Sequence, residues 1–164
     1  MKTLKAALVA GLVAVLGGTA LAHEGAKADL EHYAPIRAAL AKDSTDGLKE
    51  HAEKLAKSKD KEVAKAAEAL AKAADLVAAR AAFGDVSKAL IAEVEKASKA
   101  GEDVGKVTVF ECPMAKPYGR WIQSDDDMGN PYYGASMLKC GKEVEKLGKE
   151  GKSAHDDHKG AHQH

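Results

Sequence analysis

Between Leu30 and Lys99 the apolar residues recur every three or four positions, and most are alanine or leucine. That period gathers them on one face of an α-helix, and the small side chains let helices approach closely. Leu30, Tyr33, Ile36 and Leu40 predict a short first helix from Leu30, with Pro35 in its first turn or at a kink because proline has no amide proton to donate. Asp43-Ser44-Thr45 offers N-cap oxygens to a second helix carrying Leu48, Ala52 and Leu55 inward. Ser58 to Asp60 ends that helix and caps a third, whose stripe is Val63, Ala66, Ala67, Leu70, Ala73 and Ala74. Leu76, Ala79, Phe83, Val86, Leu90 and Val94 mark a fourth. One unbroken helix from Asp60 to Lys99 would run about 60 Å at 1.5 Å per residue, so a break belongs near Asp75, a second good cap. The expected fold is mainly α: a small antiparallel bundle of about four helices.

The chain has 164 residues, enough for one domain with its own core. Aromatic residues make up only 4%, which favours small-residue helix packing over a sheet core. Lys and Arg balance Asp and Glu at 25 each, so nucleic acid is not an expected partner. Lysine and glutamate alternate at helical spacing on the outer faces, as solvated ion pairs do. His32 and His51 stand singly on polar-leaning helices and read as surface or satisfied histidines rather than ligands.

Residues 1–22 have the layout of a secretory signal peptide: Lys2 and Lys5, an apolar run from Ala6 to Leu16, then Ala20-Leu21-Ala22. The run is too short to span a hydrocarbon core, so a periplasmic protein with no membrane insertion after leader removal is expected. Removing the leader leaves 23 basic against 25 acidic residues. Residues 23–29 read as a linker. Cleavage after Ala22 would make His23 the N-terminus, where an α-amine beside an imidazole can chelate Cu(II), although an exported chain can also begin with an arbitrary residue.

Chemistry concentrates in residues 106–147. Met114, Met128, Met137, Cys112, Cys140, Trp121 and three of the four tyrosines fall there. Val107-Thr108-Val109-Phe110 and Arg120-Trp121-Ile122-Gln123 are β-favouring runs around a Pro- and Gly-containing turn, which predicts a small C-terminal hairpin and loop module carrying both cysteines. A helical turn through Met137 and Leu138 follows an acidic loop, 124–130. Two thiolates and two thioethers, Cys112, Met114, Met137 and Cys140, are a soft set suited to Cu(I) or Ag(I), with Met128 a weaker fifth. The same residues also fit a Cys112–Cys140 disulfide. Closing a loop of about 28 residues would contribute roughly 3.6 kcal/mol in the chain-entropy model, with the methionines as ordinary core.

The motifs C-P-M-A (Cys112 to Ala115), G-R-W-I-Q (Gly119 to Gln123), N-P-Y-Y-G (Asn130 to Gly134) and M-L-K-C-G (Met137 to Gly141), with A-R-A-A-F-G-D-V-S-K-A-L upstream (Ala79 to Leu90), resemble a known family. It is a periplasmic domain of unassigned function, found alone or fused to the adaptor subunits of copper and silver efflux pumps. The resemblance spans about Glu31 to Leu147. It implies a helical bundle plus the sulfur module in a heavy-metal setting, with periplasmic components of a metal efflux system as partners, and this chain as the free-standing form.

Residues 148–164 read as a disordered tail, in which His155, His158, His162 and His164 with Asp156 and Asp157 can gather Cu(II), Ni(II) or Zn(II). No Ser-His-acid set, phosphate loop or H-E-x-x-H helix is visible, so an enzyme is not expected. Two functions remain: a copper- and silver-binding protein that buffers or transfers metal, or a disulfide-stapled interaction module associated with an efflux adaptor.

Overall fold

The computed structural model describes residues 20–148. Four helices come first: α1 (Ala20–Ala41), α2 (Leu48–Leu55), α3 (Lys61–Ala71) and α4 (Leu76–Lys99). Three strands follow, β1 (Val107–Glu111), β2 (Arg120–Gln123) and β3 (Lys142–Leu147), with a 3-10 turn over Gly134–Met137 before β3. Each helix packs on its neighbour in sequence, except that α1 closes the bundle by also packing on α4, and α4 carries the sheet through β2.

Local chemistry accounts for most of the helix boundaries. Asp60 accepts hydrogen bonds from the amides of Glu62 and Val63 at 2.9 and 3.1 Å, and Asp75 from that of Ala78 at 2.8 Å. These caps divide α3 from α4 at the expected place. The inward stripes are Leu48, Ala52 and Leu55 on α2, Val63, Ala67 and Leu70 on α3, and Ala79, Phe83, Val86, Leu90 and Val94 on α4, all buried.

Two helical expectations are corrected. The supposed linker 23–29 is helical, since α1 begins at Ala20, and Ala26 and Asp29 are already buried there. Alanine-rich sequence without a strong breaker simply continues the helix, leaving Pro35 in its interior. At α2 the N-cap is Gly47 with no side-chain cap, while Asp43, at φ 57°, turns its carboxylate away to Arg80 and the Ala135 amide.

The fold expectation of a hairpin module also fails. The sheet has three antiparallel strands in the order β2-β1-β3, and the cysteines lie outside all of them. β1 pairs with β2 in the register Phe110 to Trp121 and Val109 to Ile122, and with β3 from Val107 to Leu147 through a bulge at Val109/Phe110. Lys142–Leu147 lacks apolar alternation because it is an edge strand held by backbone bonds. Its charged side chains are what an exposed edge carries, and only Leu147 is buried.

Candidate functional site

Cys112 follows β1 directly, and Cys140 lies two residues before β3, so the central and edge strands bring them together from 28 residues apart. Their Sγ atoms are 3.4 Å apart and both thiols are free. A disulfide requires about 2.05 Å.

Cys112 is held by its own turn. Its amide donates to the Gly119 carbonyl at 2.9 Å, and its carbonyl accepts from the Ala115 amide at 3.2 Å, closing C-P-M-A back on the start of β2. A Cβ on Gly119 would run into the Cys112 carbonyl oxygen, so glycine is what permits this closure. The Cys140 amide donates to Met137 at 2.9 Å at the end of the 3-10 turn. Its carbonyl accepts from Asn130 Nδ2 at 2.8 Å.

Asn130 is fully buried and organises the N-P-Y-Y-G turn: its Oδ1 accepts from the Tyr132 amide at 2.9 Å, and its backbone bonds Leu138 and Gly134. Its side chain also reaches the Cys112 sulfur. Burial pushes the Cys112 thiol up, but hydrogen bonds from Cys140, the Met114 amide, Asn130 and the Ala115 amide outweigh it and hold the thiol below its ordinary range. Cys140 is raised, first because its thiol is hydrogen-bonded to Cys112. The pair therefore consists of one buried sulfur, with 1% exposure, whose ionisation its hydrogen-bond donors favour, and one half-buried sulfur whose ionisation its neighbour opposes.

The methionines divide differently from the sequence reading. Met114 is 59% exposed, and Met137 is half-buried. Met128 packs against the core, and a Cβ on Gly141 would stand 3.0 Å from its Sδ and 2.6 Å from the Trp121 ring. The acidic loop that holds it is anchored rather than loose. Arg37 donates to Asp125 at 2.7 Å, Gln123 Nε2 to the Asp125 carbonyl at 2.9 Å, and Lys139 to the Met128 carbonyl at 2.9 Å. The position of Met128 is not legible in the sequence, because Arg37, which anchors its loop through Asp125, is 88 residues away.

Beneath the cysteines an aromatic series joins the sheet to the bundle. Phe110 stacks on Trp121 at 5.5 Å, Trp121 meets Tyr132 edge-on at 6.3 Å, Tyr132 meets Phe83 at 5.7 Å, and Phe83 stacks on Tyr33 at 5.1 Å. The Tyr132 hydroxyl donates to the Arg120 carbonyl at 2.5 Å.

Among the described residues no three His, Cys, Asp or Glu side chains converge as a metal site, and no helix is long and apolar enough to cross a membrane. His155, His158, His162 and His164 lie outside the described residues, as does the side chain of His23. No family model, curated protein or solved structure matches the chain.

Proposed function

We propose that the protein binds copper, and silver by the same chemistry, as cargo in a periplasmic buffering, transfer or efflux pathway. The observation that carries this reading is the pair of free sulfurs 3.4 Å apart, one of them buried and supplied with amide donors. A buried thiolate is a strong ligand for a soft ion. With metal–thiolate bonds of about 2.3 Å, two sulfurs sharing one ion stand roughly 3.8–4.6 Å apart, so the pair must part only slightly to admit it. Met137, whose carbonyl accepts from the Cys140 amide, and Met128, whose sulfur lies beside Gly141, are the thioethers nearest Cys140 along the chain, whereas Met114 faces solvent. The likeness to the efflux-associated periplasmic family supports the same setting, with efflux components as partners. The tail histidines and His23 would serve Cu(II), Ni(II) or Zn(II).

The same short separation favours a second reading, in which Cys112 and Cys140 oxidise to a staple and the module docks on an adaptor without metal. Cu(I) titration of anaerobically purified protein against a competing chelator separates the two. Metal binding predicts two titratable thiols and one tightly held Cu(I), lost in the Cys112→Ser, Cys140→Ser double variant. Blocked thiols in protein taken from the periplasm, with no difference in Cu(I) affinity between parent and variant, would sink the metal reading. For the tail, deleting residues 153–164 should lower the Cu(II) stoichiometry measured by calorimetry.

A further inference from the structure

The bundle pairs the two histidines that stand alone in the sequence. His32 on α1 and His51 on α2 have ring centres 5.8 Å apart and planes inclined at 44°. Both are half-buried. Cδ2 of His51 lies over Gly47, where a Cβ would sit 3.7 Å away, and its Nδ1 is buried without a hydrogen-bond partner among the described residues. That nitrogen is therefore not committed to any protein group among them and is available to a ligand.

With metal–nitrogen bonds of about 2.0–2.1 Å, two imidazoles sharing one ion have ring centres roughly 5–6.4 Å apart. The observed separation lies inside that range, and it spans two helices that pack directly on each other. The surrounding charge also favours a cation. The Glu50 carboxyl, adjacent to His51 in sequence, is held low first by Lys54, its partner at 2.7 Å, with smaller contributions from His51 and His32. Asp29, one turn before His32, adds a second acidic group on α1.

We propose that His32 and His51 form a bis-imidazole site for a borderline divalent cation of the Zn(II), Ni(II) or Cu(II) class, clamping α1 to α2. Imidazole suits these ions, whereas the sulfur pair suits softer ones. Among the described residues no third protein ligand converges, which leaves positions on the ion for water or an exogenous ligand. The site is separate from the cysteines and does not depend on the copper reading.

The test is Zn(II) titration of the full chain carrying Cys112→Ser and Cys140→Ser, followed by long-range proton–nitrogen NMR correlations that resolve the seven imidazoles individually. His32 and His51 should shift together and saturate at one equivalent. His32→Gln should abolish the response of His51, and His51→Gln that of His32, each lowering affinity for this site at least about tenfold while the amide spectrum stays folded. Thermal melting gives a second readout. With the four tail histidines replaced by alanine, Zn(II) should still raise Tm, because only an ion bound to folded structure does so. Unshifted His32 and His51 while the tail saturates, a His51 response that survives His32→Gln, or an unchanged Tm would each reduce the pair to a packing contact and overturn the site.

Discussion

Gly119 shows how much a single position contributes to the cysteine pair. Its lack of a Cβ lets the loop after C-P-M-A close on the Cys112 carbonyl, so Gly119→Ala should destabilise the fold by about 1–3 kcal/mol, read by urea denaturation. Tyr33 does comparable work from the bundle side. Its buried hydroxyl bonds Ser87 Oγ and accepts from the Ile122 amide at 3.3 Å, joining α1, α4 and β2. Burial, despite the Ser87 bond, pushes that phenol far above its ordinary range, so it stays neutral. Tyr33→Phe takes the acceptor from the Ile122 amide and one of the partners from the buried Ser87 hydroxyl, and should cost about 1–3 kcal/mol. Adding Ser87→Ala should recover part of that loss, which a double-mutant cycle would measure.

Elements meet most sensitively where α1 and α4 bring Asp29 and Glu93 together. Asp29 accepts from Ser58 Oγ, and its carboxyl is raised chiefly by burial, against the lowering effects of Ser58 and Glu93. Glu93 is raised from 4.5 to about 8, first by burial and then by the charges of Asp29 and Asp60, with Glu102 adding less. The folded protein therefore keeps a proton over a range where the unfolded chain has released it. Stability from this pair is full below about pH 4.5 and is lost as pH rises toward 8. Partial solvent screening reduces the effect to the order of 1–2 kcal/mol. Urea melts at pH 5 and pH 8 should differ by that amount in the parent and by much less in Glu93→Gln.

The elements also show what sequence could and could not announce. Asp60 and Asp75 were legible as caps because a cap bonds amides two or three residues away. Asp43 was not, because its carboxylate is drawn off by Arg80, 37 residues on. β3 was missed because an edge strand needs a partner's backbone more than an apolar pattern, and that partner, β1, is set by the sheet.

At the scale of the molecule, Arg80 is the bolt between bundle and module. From α4 it donates to the Pro131 carbonyl at 2.9 Å, to the Leu40 carbonyl at 2.8 Å and to Asp43 at 2.6 Å, tying N-P-Y-Y-G to the end of α1. Arg80→Met should cost about 1–2 kcal/mol, because the Pro131 carbonyl loses its Arg80 donor and the Leu40 carbonyl keeps only the Asp43 amide. On the copper reading it should also weaken Cu(I) binding in the chelator competition, because Asn130, which holds both cysteines, sits beside Pro131 in the same turn.

The sequence alone determined four helices, most of their inward faces and the break at Asp75, although Ala74, read on the α3 stripe, is exposed beyond that helix's end; periodicity and capping are local and each residue's neighbours along the chain supply the reason. It also showed that the sulfur and aromatic residues belong to one stretch. Tertiary structure alone decided that Cys112 and Cys140 stand 3.4 Å apart as free thiols, that Met128 packs inward while Met114 faces solvent, and that His32 and His51 share one face of the bundle. Those outcomes depend on contacts between residues 19 to 88 positions apart, from His32–His51 to Arg37–Asp125, and spacing along a chain carries no information about such distances until packing has fixed them.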